Sequence, residues 1–153
     1  MRWLELKVPP VLLTALLFAA MYGVATATPD AAVRIPGRTG ITTGLALLGT
    51  VVALAGVLEF RVNRTTANPF NPGAASTVVT RGVYRFSRNP MYLGLLMVLA
   101  AWAIHLANLI TALALPAFVA YMNEFQIKPE ERTLRAKFGT AFSEYQATVR
   151  RWV

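Results

Sequence analysis

Two long apolar runs constrain this chain more than any other feature of its sequence. One extends over 8–28 and the other over 40–60, and Glu59 is the only charged residue in either. At a rise of about 1.5 Å per residue, each run can cross a hydrocarbon layer of about 30 Å as an α-helix. The sequence therefore predicts a protein built around membrane-spanning helices.

Two shorter apolar runs follow, over 90–104 and 106–122, with only His105 between them. Each is short for an independent span, so we expect the two to form a tight helical hairpin whose turn lies near His105–Asn108. The predicted fold is therefore an all-α bundle of about four transmembrane helices, forming a single membrane domain over 1–153.

Basic residues predict the orientation of these helices. The chain has 15 Lys and Arg, a formal net charge of +8 and 56% hydrophobic residues. All the basic residues except Arg34 and Arg38 lie near the N-terminus, in the loop over 61–89 or in the tail. Four spans place these regions on one side, which the positive-inside rule predicts to be cytoplasmic, with both termini there. Because the chain is so apolar, we expect its basic residues to contact anionic lipids. We expect no nucleic-acid partner.

The tail has apolar residues at helical spacing, namely Leu134, Phe138, Phe142, Tyr145 and Val149. This pattern predicts a cytoplasmic amphipathic helix over 128–150, with Gly139 as the position of a break or kink. Its apolar stripe is expected to lie on the membrane surface or on the helical bundle. With no Cys and one His, the chain offers no thiol nucleophile and no His-based metal cluster, so we expect no metal site.

The loop over 61–89 enters the third helix through an unusual segment. Gly82 permits a tight turn, and Asn89-Pro90 is typical of a helix N-cap followed by proline at the first helical position. Such a helix start presents backbone N–H groups that can bind a carboxylate. Gly94 removes bulk one turn inside the helix, so that a ligand or another helix can approach closely.

Four sequence elements occur in order in the second half of the chain. They are Gly82-Val83-Tyr84, Arg88-Asn89-Pro90-Met91-Tyr92-Leu93-Gly94, Glu130-Glu131 and Phe138-Gly139-Thr140-Ala141-Phe142-Ser143-Glu144-Tyr145. Together they closely resemble the signature of isoprenylcysteine carboxyl methyltransferases and the related phospholipid methyltransferases, over about 68–153. The closing Val149-Arg150-Arg151-Trp152 is similar to that of bacterial members. The resemblance implies an integral protein of the bacterial inner membrane.

The resemblance also implies a methyltransferase that uses S-adenosyl-L-methionine. The cofactor-binding residues that it implies are Ser76, Thr77, Val78, Val79, Tyr84, Asn89, Pro90, Met91, Tyr92 and Glu130. We predict Arg88 and Glu131 as the catalytic residues, with Arg88 on the cofactor's carboxylate and Glu131 or Glu59 as a base. The faces of Tyr84 and Tyr92 suit the cofactor's sulfonium cation.

Two positions depart from the family pattern. Asn89 replaces the usual His, so this side chain can cap and hydrogen-bond but cannot exchange a proton near neutral pH. Gln126, our predicted substrate-binding residue, replaces an Arg that would recognise a substrate carboxylate through two hydrogen bonds. We therefore expect the acceptor to be a lipid headgroup or a hydrophobic small molecule rather than a prenylcysteine carboxylate.

Two other functions are alternatives to the methyltransferase. A membrane reductase similar to sterol reductases would bind a nicotinamide cofactor, but such chains are much longer. A small four-span transporter usually needs an acidic residue within a span, and Glu59 lies at the edge of one. We expect Glu59 to form an ion pair with Arg61 or Arg64. Membrane lipids and a lipophilic substrate are the expected partners, and no obligatory protein partner is indicated.

Overall fold

The computed structural model describes residues 5–63 and 72–153, and most of these residues are helical. The helices in chain order are α1 (Pro10–Ala27), α2 (Arg38–Val62), α3 (Pro90–Leu106), α4 (Ala114–Tyr121), α5 (Lys128–Phe138) and α6 (Thr140–Thr148). The described residues contain no β-strand, so the predicted all-α class is confirmed. The predicted loop over 61–89 is described only in part, because 64–71 lie outside these residues.

Within the described residues, α1 and α2 are long and apolar enough to span a membrane. Their outward side chains are apolar and exposed, with exposed fractions of 57% at Leu16, 63% at Leu47 and 62% at Val51. A surface of this kind is unfavourable in water, whereas hydrocarbon solvates it. α3 is equally apolar but has only 17 residues.

α2 and α3 pack with their backbones almost in contact. A Cβ built on Gly94 would lie 2.7 Å from the Cβ of Ala53 and closer still to the carbonyl oxygen of Gly49. Small residues on both helices are what permits this approach, as is common between membrane helices. The space that Gly94 leaves is therefore filled by another helix, which was one of the two expectations for this position.

The turn between α3 and α4 is tied to the linker between α1 and α2. The backbone N–H of Val33 donates to the carbonyl of Ala107 at 2.7 Å, and that of Leu109 donates to Ala31 at 3.1 Å. Ala107 adopts a left-handed conformation, with φ of +49°, which ends α3 and reverses the chain. The predicted hairpin with its turn near His105–Asn108 is therefore present. We call this contact the far-end tie.

After the turn, the chain is helical without a break from Ile110 to Phe138. A 3₁₀ turn leads into α4, and a π-helical segment, Met122–Ile127, joins α4 directly to α5. The sequence predicted a span over 106–122 and a separate tail helix from 128. The structure instead shows one helical run that carries the chain from the hairpin into the tail.

Pro129 explains the widened turn in this run. Proline has no N–H to donate, and its ring crowds the carbonyl four residues earlier, so a regular α-helical turn is unfavourable there. The freed carbonyl of Phe125 accepts a hydrogen bond from the backbone N–H of Leu6 at 2.9 Å instead. The segment before α1 is thereby fastened to the π-helical segment.

Gly139 ends α5 with a φ of +55°, a backbone conformation that favours glycine. The tail therefore forms two helices, α5 and α6, in place of the single helix predicted over 128–150, and α6 ends at Thr148. Gly139 lies at the break that was expected for this position.

Two groups of buried side chains hold the elements together. The larger lies between the helices, around Leu99, Phe118, Met122 and Ile127, which are all at most 1% exposed. The smaller comprises Val79, Tyr84, Phe142 and Tyr145, with Phe60 and Leu134 beside it. This second cluster joins the loop before α3 to α5 and α6, and it adjoins the cavity described next.

Candidate functional site

An open cavity lies where the end of α2, the loop before α3, the start of α3 and the tail helices meet. Its empty space is about 790 Å³ when the open solvent at its mouth is included. The residues that line it are Phe60, Pro72, Ala75, Thr77, Val78, Val79, Tyr84, Arg88, Asn89, Met91, Tyr92, Glu130, Glu131, Leu134, Phe142 and Tyr145.

Most of the residues predicted to bind the cofactor meet in this cavity. Those lining it are Thr77, Val78, Val79, Tyr84, Asn89, Met91, Tyr92 and Glu130, and the predicted catalytic residues Arg88 and Glu131 join them. Ser76 and Pro90 are not among the lining residues. Ser76 is exposed on the loop, whereas Pro90 is buried beside Gly56 of α2.

Tyr84 is positioned by the turn that precedes it. Gly82 has a φ of +56°, and a Cβ at this position would overlap the carboxylate of Glu59 at the end of α2. The short helix Gly82–Arg85 then directs the Tyr84 ring against Phe60, with the two rings edge to face and their centroids 5.3 Å apart. The hydroxyl of Tyr145 donates to the Tyr84 carbonyl at 2.7 Å.

The hydroxyl of Tyr84 is buried and has no hydrogen-bond partner among the described residues. Burial is the main cause that raises the pKa of this phenol, and the neighbouring Tyr145 and Glu130 raise it further. The Tyr84 hydroxyl therefore stays protonated and can donate a hydrogen bond. A buried hydroxyl without a partner at a cavity wall is a feature that a bound ligand would satisfy.

Glu130 is held by two neutral donors. The hydroxyl of Tyr92 donates to Glu130 Oε1 at 2.6 Å, and the amide of Gln126 donates to the same oxygen at 2.5 Å. Burial raises the pKa of Glu130 to about 7, against the two hydrogen bonds, which lower it. This carboxyl group can therefore exchange a proton near neutral pH.

Gln126 was predicted to bind substrate, but the structure places it behind Glu130. Its side chain is only 2% exposed and does not line the cavity. The π-helical turn aims its amide at Glu130, four residues further on. Its contacts point to a role in orienting Glu130.

Glu131 has the opposite environment. Arg88 Nη2 lies 2.9 Å from its Oε1, and Arg151 Nη2 lies 2.6 Å from its Oε2. Burial alone would raise the pKa of Glu131, but the hydrogen bonds and charges of Arg151 and Arg88 outweigh it, and the pKa is below its ordinary value. A carboxylate held by two guanidinium groups is a poor proton acceptor, so the structure does not favour the catalytic role predicted for Glu131.

Arg88 makes several contacts with the protein, although its buried Nε has no hydrogen-bond partner among the described residues. Besides Glu131, its Nη1 donates to the carbonyls of Gln146 at 2.9 Å and Val149 at 2.7 Å. Because its charge is paired with Glu131, Arg88 is not the free cation that the sequence assigned to the cofactor carboxylate. The contacts give Arg88 a structural role, which fastens the tail to the start of α3.

Asn89 occupies the predicted N-cap position, but its side chain makes no capping hydrogen bond. Its amide instead donates to the carbonyl of Arg151 at 2.9 Å, because the C-terminal residues run directly past it. Ser87, which is buried, donates its hydroxyl to the same carbonyl at 3.4 Å. The predicted capping by Asn89 is therefore wrong.

The expected partners of Glu59 are also corrected. Glu59 and Arg61 do not form the predicted ion pair in the described part of the chain. Arg64, the other expected partner, lies outside the described residues. The Asn63 side chain donates to the backbone carbonyl of Glu59 at 2.7 Å.

Several lining residues were not predicted. From the sequence, Leu134, Phe142 and Tyr145 were expected only to pack, and no signal distinguished Phe60, Pro72 or Ala75. Helical spacing does place Phe142 and Tyr145 on one face, three residues apart, but periodicity does not reveal what that face meets. Among the described residues, no group of His, Asp and Glu could hold a metal ion.

Comparison with known proteins identifies the family of this chain. A sequence model of the phospholipid methyltransferase family matches residues 38–141. An uncharacterized protein of Haemophilus influenzae is 43% identical over 63 residues, which are 41% of this chain and the whole of that protein. No solved structure matches the chain. Because the family match covers more than half of its residues and includes the start of α3 and the glutamate pair, the chain belongs to the phospholipid methyltransferase family.

Proposed function

We propose that this protein is an S-adenosylmethionine-dependent methyltransferase that acts on a lipophilic acceptor at the cytoplasmic face of a bacterial inner membrane. Family membership supports methyl transfer. The observation that carries the cofactor assignment is the cavity, which gathers residues of three separate sequence elements around Tyr84, Tyr92 and Glu130.

The lining residues fit this cofactor. The buried Tyr84 hydroxyl offers a hydrogen bond that the described residues do not use, and Glu130 can accept one from a ribose hydroxyl or an ammonium group. Tyr84, Tyr92 and Phe142 line the cavity, and aromatic rings attract a cation such as a sulfonium. When bound, the cofactor would supply the methyl group, which is bonded to a sulfonium sulfur that leaves readily.

The chain's own contribution is positioning. Methyl transfer of this kind is an in-line displacement, which depends mainly on proximity and alignment. Val79, Leu134 and Phe142 make part of the cavity wall apolar. Where the acceptor must lose a proton, Glu130 rather than Glu131 is the carboxyl group suited to take it up, because its pKa is about 7.

The acceptor is best sought among lipid headgroups and hydrophobic small molecules. Recognition of a substrate carboxylate needs a free cation, and Arg88 is committed to Glu131 and to backbone carbonyls. Gln126 is committed at least in part to Glu130. These contacts agree with the argument from sequence against a prenylcysteine carboxylate.

The membrane arrangement that we propose has four spans, with both termini cytoplasmic. α1 and α2 have the length and composition required. α3 and the helical run from Ile110 supply two shorter spans, joined at the far-end tie. This arrangement places the cavity and the basic tail at the same membrane face.

Calorimetric titration of the detergent-purified protein with S-adenosylmethionine and its demethylated product tests the cofactor assignment. We expect micromolar binding, and a loss of about tenfold or more in affinity for Tyr92→Phe and Glu130→Gln, since each removes a hydrogen bond at the cavity wall. Glu124→Gln is the matched control, because Glu124 is exposed and pairs with Lys128 outside the cavity. No binding of either compound, with binding of a nicotinamide cofactor instead, would overturn the proposal.

A further inference from the structure

The residues after α6 turn back and run along the start of α3. The backbone N–H of Arg88 donates to the carbonyl of Arg150 at 3.0 Å, and the carbonyl of Arg151 accepts from the side chain of Asn89. Trp152 then donates its indole N–H to Asn123 of the π-helical segment at 3.2 Å. We call residues 149–152 the C-terminal strap.

The strap is joined to α5 through one carboxylate. Arg151 approaches Glu131 with two nitrogens, Nη2 at 2.6 Å and Nε at 3.2 Å, and Arg88 reaches the same carboxylate from the other side. A guanidinium that contacts a carboxylate through two nitrogens fixes orientation as well as distance. The carboxylate of Glu131, which belongs to α5, therefore connects this helix both to the loop that precedes α3 and to the strap.

These same residues form cavity walls. Arg88 and Asn89 belong to the wall at the start of α3, Glu131 belongs to α5, and α6 contributes Phe142 and Tyr145. α6 leads directly into the strap, so the fastening of the strap helps to hold α6 beside the start of α3. Two direct hydrogen bonds of α6 contribute as well, from Arg88 to the Gln146 carbonyl and from Tyr145 to the loop.

We propose that the C-terminal strap is a clasp that holds the tail helices against the start of α3, and that Arg151 is its positioning residue. Arg151 does not line the cavity and acts on it through Glu131. The importance of this clasp for methyl transfer rests on the function proposed above. The clasp itself is a property of the fold and can be measured without a ligand.

The neighbouring Arg150 provides a matched control. Its side chain is exposed and forms no ion pair within residues 5–63 and 72–153, and its contact with the loop is made by its backbone carbonyl. Arg150→Ala therefore removes the same charge as Arg151→Ala, one position away, without breaking the contact with Glu131.

Hydrogen–deuterium exchange of the full-length protein in detergent tests the clasp. We expect Arg151→Ala to speed exchange about tenfold or more in peptides covering 86–89 and 149–153, while peptides from α2 and the rest of α3 keep wild-type rates. Arg150→Ala should match the wild type. Equal exchange in Arg151→Ala and Arg150→Ala would overturn the proposal.

A second variant covers the case in which Arg151→Ala does not fold. Arg151→Lys keeps the charge but offers one nitrogen in place of two, so we expect a smaller rise of about threefold in the same peptides. Exchange at the rate of Arg150→Ala in this variant would then contradict the clasp.

The pH dependence of product binding separates positioning from simple stability. The groups that face Glu130 are Tyr92 from α3, Gln126 from the π-helical segment, Tyr84 from the loop and Glu131 from α5. With Arg151 absent, the charge of Glu131 is balanced by Arg88 alone, and its repulsion keeps Glu130 protonated to higher pH.

We therefore expect the pH midpoint of product binding to move upward in Arg151→Ala, to move less in Arg151→Lys, and to stay at the wild-type value in Arg150→Ala. A midpoint that is the same in all variants would contradict the action of Arg151 on the cavity. If the wild type binds no product at any pH, the proposed function fails, and the exchange comparison still decides whether the clasp exists.

Discussion

Two adjacent glutamates in this protein have opposite electrostatic environments. Glu130 lies among neutral donors, where burial dominates, whereas Glu131 lies between Arg88 and Arg151. The pKa of Glu130 is accordingly raised to about 7 and that of Glu131 is lowered. Neighbouring groups whose pKa values are driven apart in this way are typical of functional sites.

This difference predicts how stability depends on pH. An unfolded chain releases the Glu130 proton near a pKa of about 4.3. The folded protein releases it at about 7. Glu130 therefore favours folding at low pH, and this contribution is lost as the pH rises through about 7. We expect the melting temperature of the wild type to fall from about pH 5 to about pH 8, and that of Glu130→Gln to change less.

Thermal unfolding in detergent at several pH values, without ligand, is the measurement. Glu124→Gln serves as the control and should keep the wild-type dependence, because its carboxylate is exposed and paired with Lys128. An unchanged pH dependence in Glu130→Gln would show that another group is responsible.

At this scale the sequence predicted which residues meet, but not what each of them does. The motif signature placed Tyr84, Tyr92 and Glu130 at one site, and the structure brings them to one cavity. It could not assign Arg88, because the partners that occupy its guanidinium lie 43 to 61 positions further along the chain. Long-range pairing of this kind leaves no local pattern.

Among the helices, the contact between α2 and α3 is the closest and the least tolerant of added volume. Gly94→Ala would place a methyl group 2.7 Å from Ala53 and nearer still to the backbone of Gly49. The two helices would have to separate, and overpacking of this kind typically costs about 1–3 kcal/mol. We expect a lower melting temperature and weaker resistance to denaturing detergent.

Gly44→Ala is the control for this substitution. Gly44 is in α2, and a Cβ there would meet nothing within 4 Å. Alanine favours a helix interior over glycine by about 0.5–1 kcal/mol, so this variant should be at least as stable as the wild type. Equal losses in the two variants would show that helix contact is not the cause.

Helix boundaries were predicted well where the chain changes from apolar to polar, and poorly in the tail. α1, α2 and α3 begin and end close to the predicted limits, because Pro10 and Pro90 mark two of the starts. The tail differs because Pro129 was tolerated within a widened turn, while Gly139 divided the predicted helix into two. Sequence alone does not reveal that Leu6 satisfies the carbonyl that Pro129 leaves free.

For the whole molecule, the distribution of basic residues and the number of helices predict one topology. A fluorescent protein fused after Val153 should be bright in bacterial cells, because it folds in the cytoplasm. A phosphatase that is active only outside the cytoplasm should be active when joined after Ala31 or Leu109, the two segments of the far-end tie. These expectations follow from the positive-inside rule applied to four spans.

The phosphatase joined after Val153 and the fluorescent protein joined after Leu109 are the reciprocal controls, and both should be inactive. Activity of the phosphatase after Val153 would contradict the proposed orientation. It would place the cavity outside the cytoplasm, away from any intracellular cofactor.

The far-end tie also restrains relative motion of the helices at its own end of the bundle. It joins the linker between α1 and α2 to the turn between α3 and α4 at the end opposite the cavity, so a pivot about it would be largest at the cavity end. α3 has 17 residues, which corresponds to a lever arm of about 25 Å. A pivot of a few degrees therefore displaces the cavity end by about 1–2 Å while the tie hardly moves. An acceptor that arrives from within the bilayer would meet the bundle where this amplitude is largest.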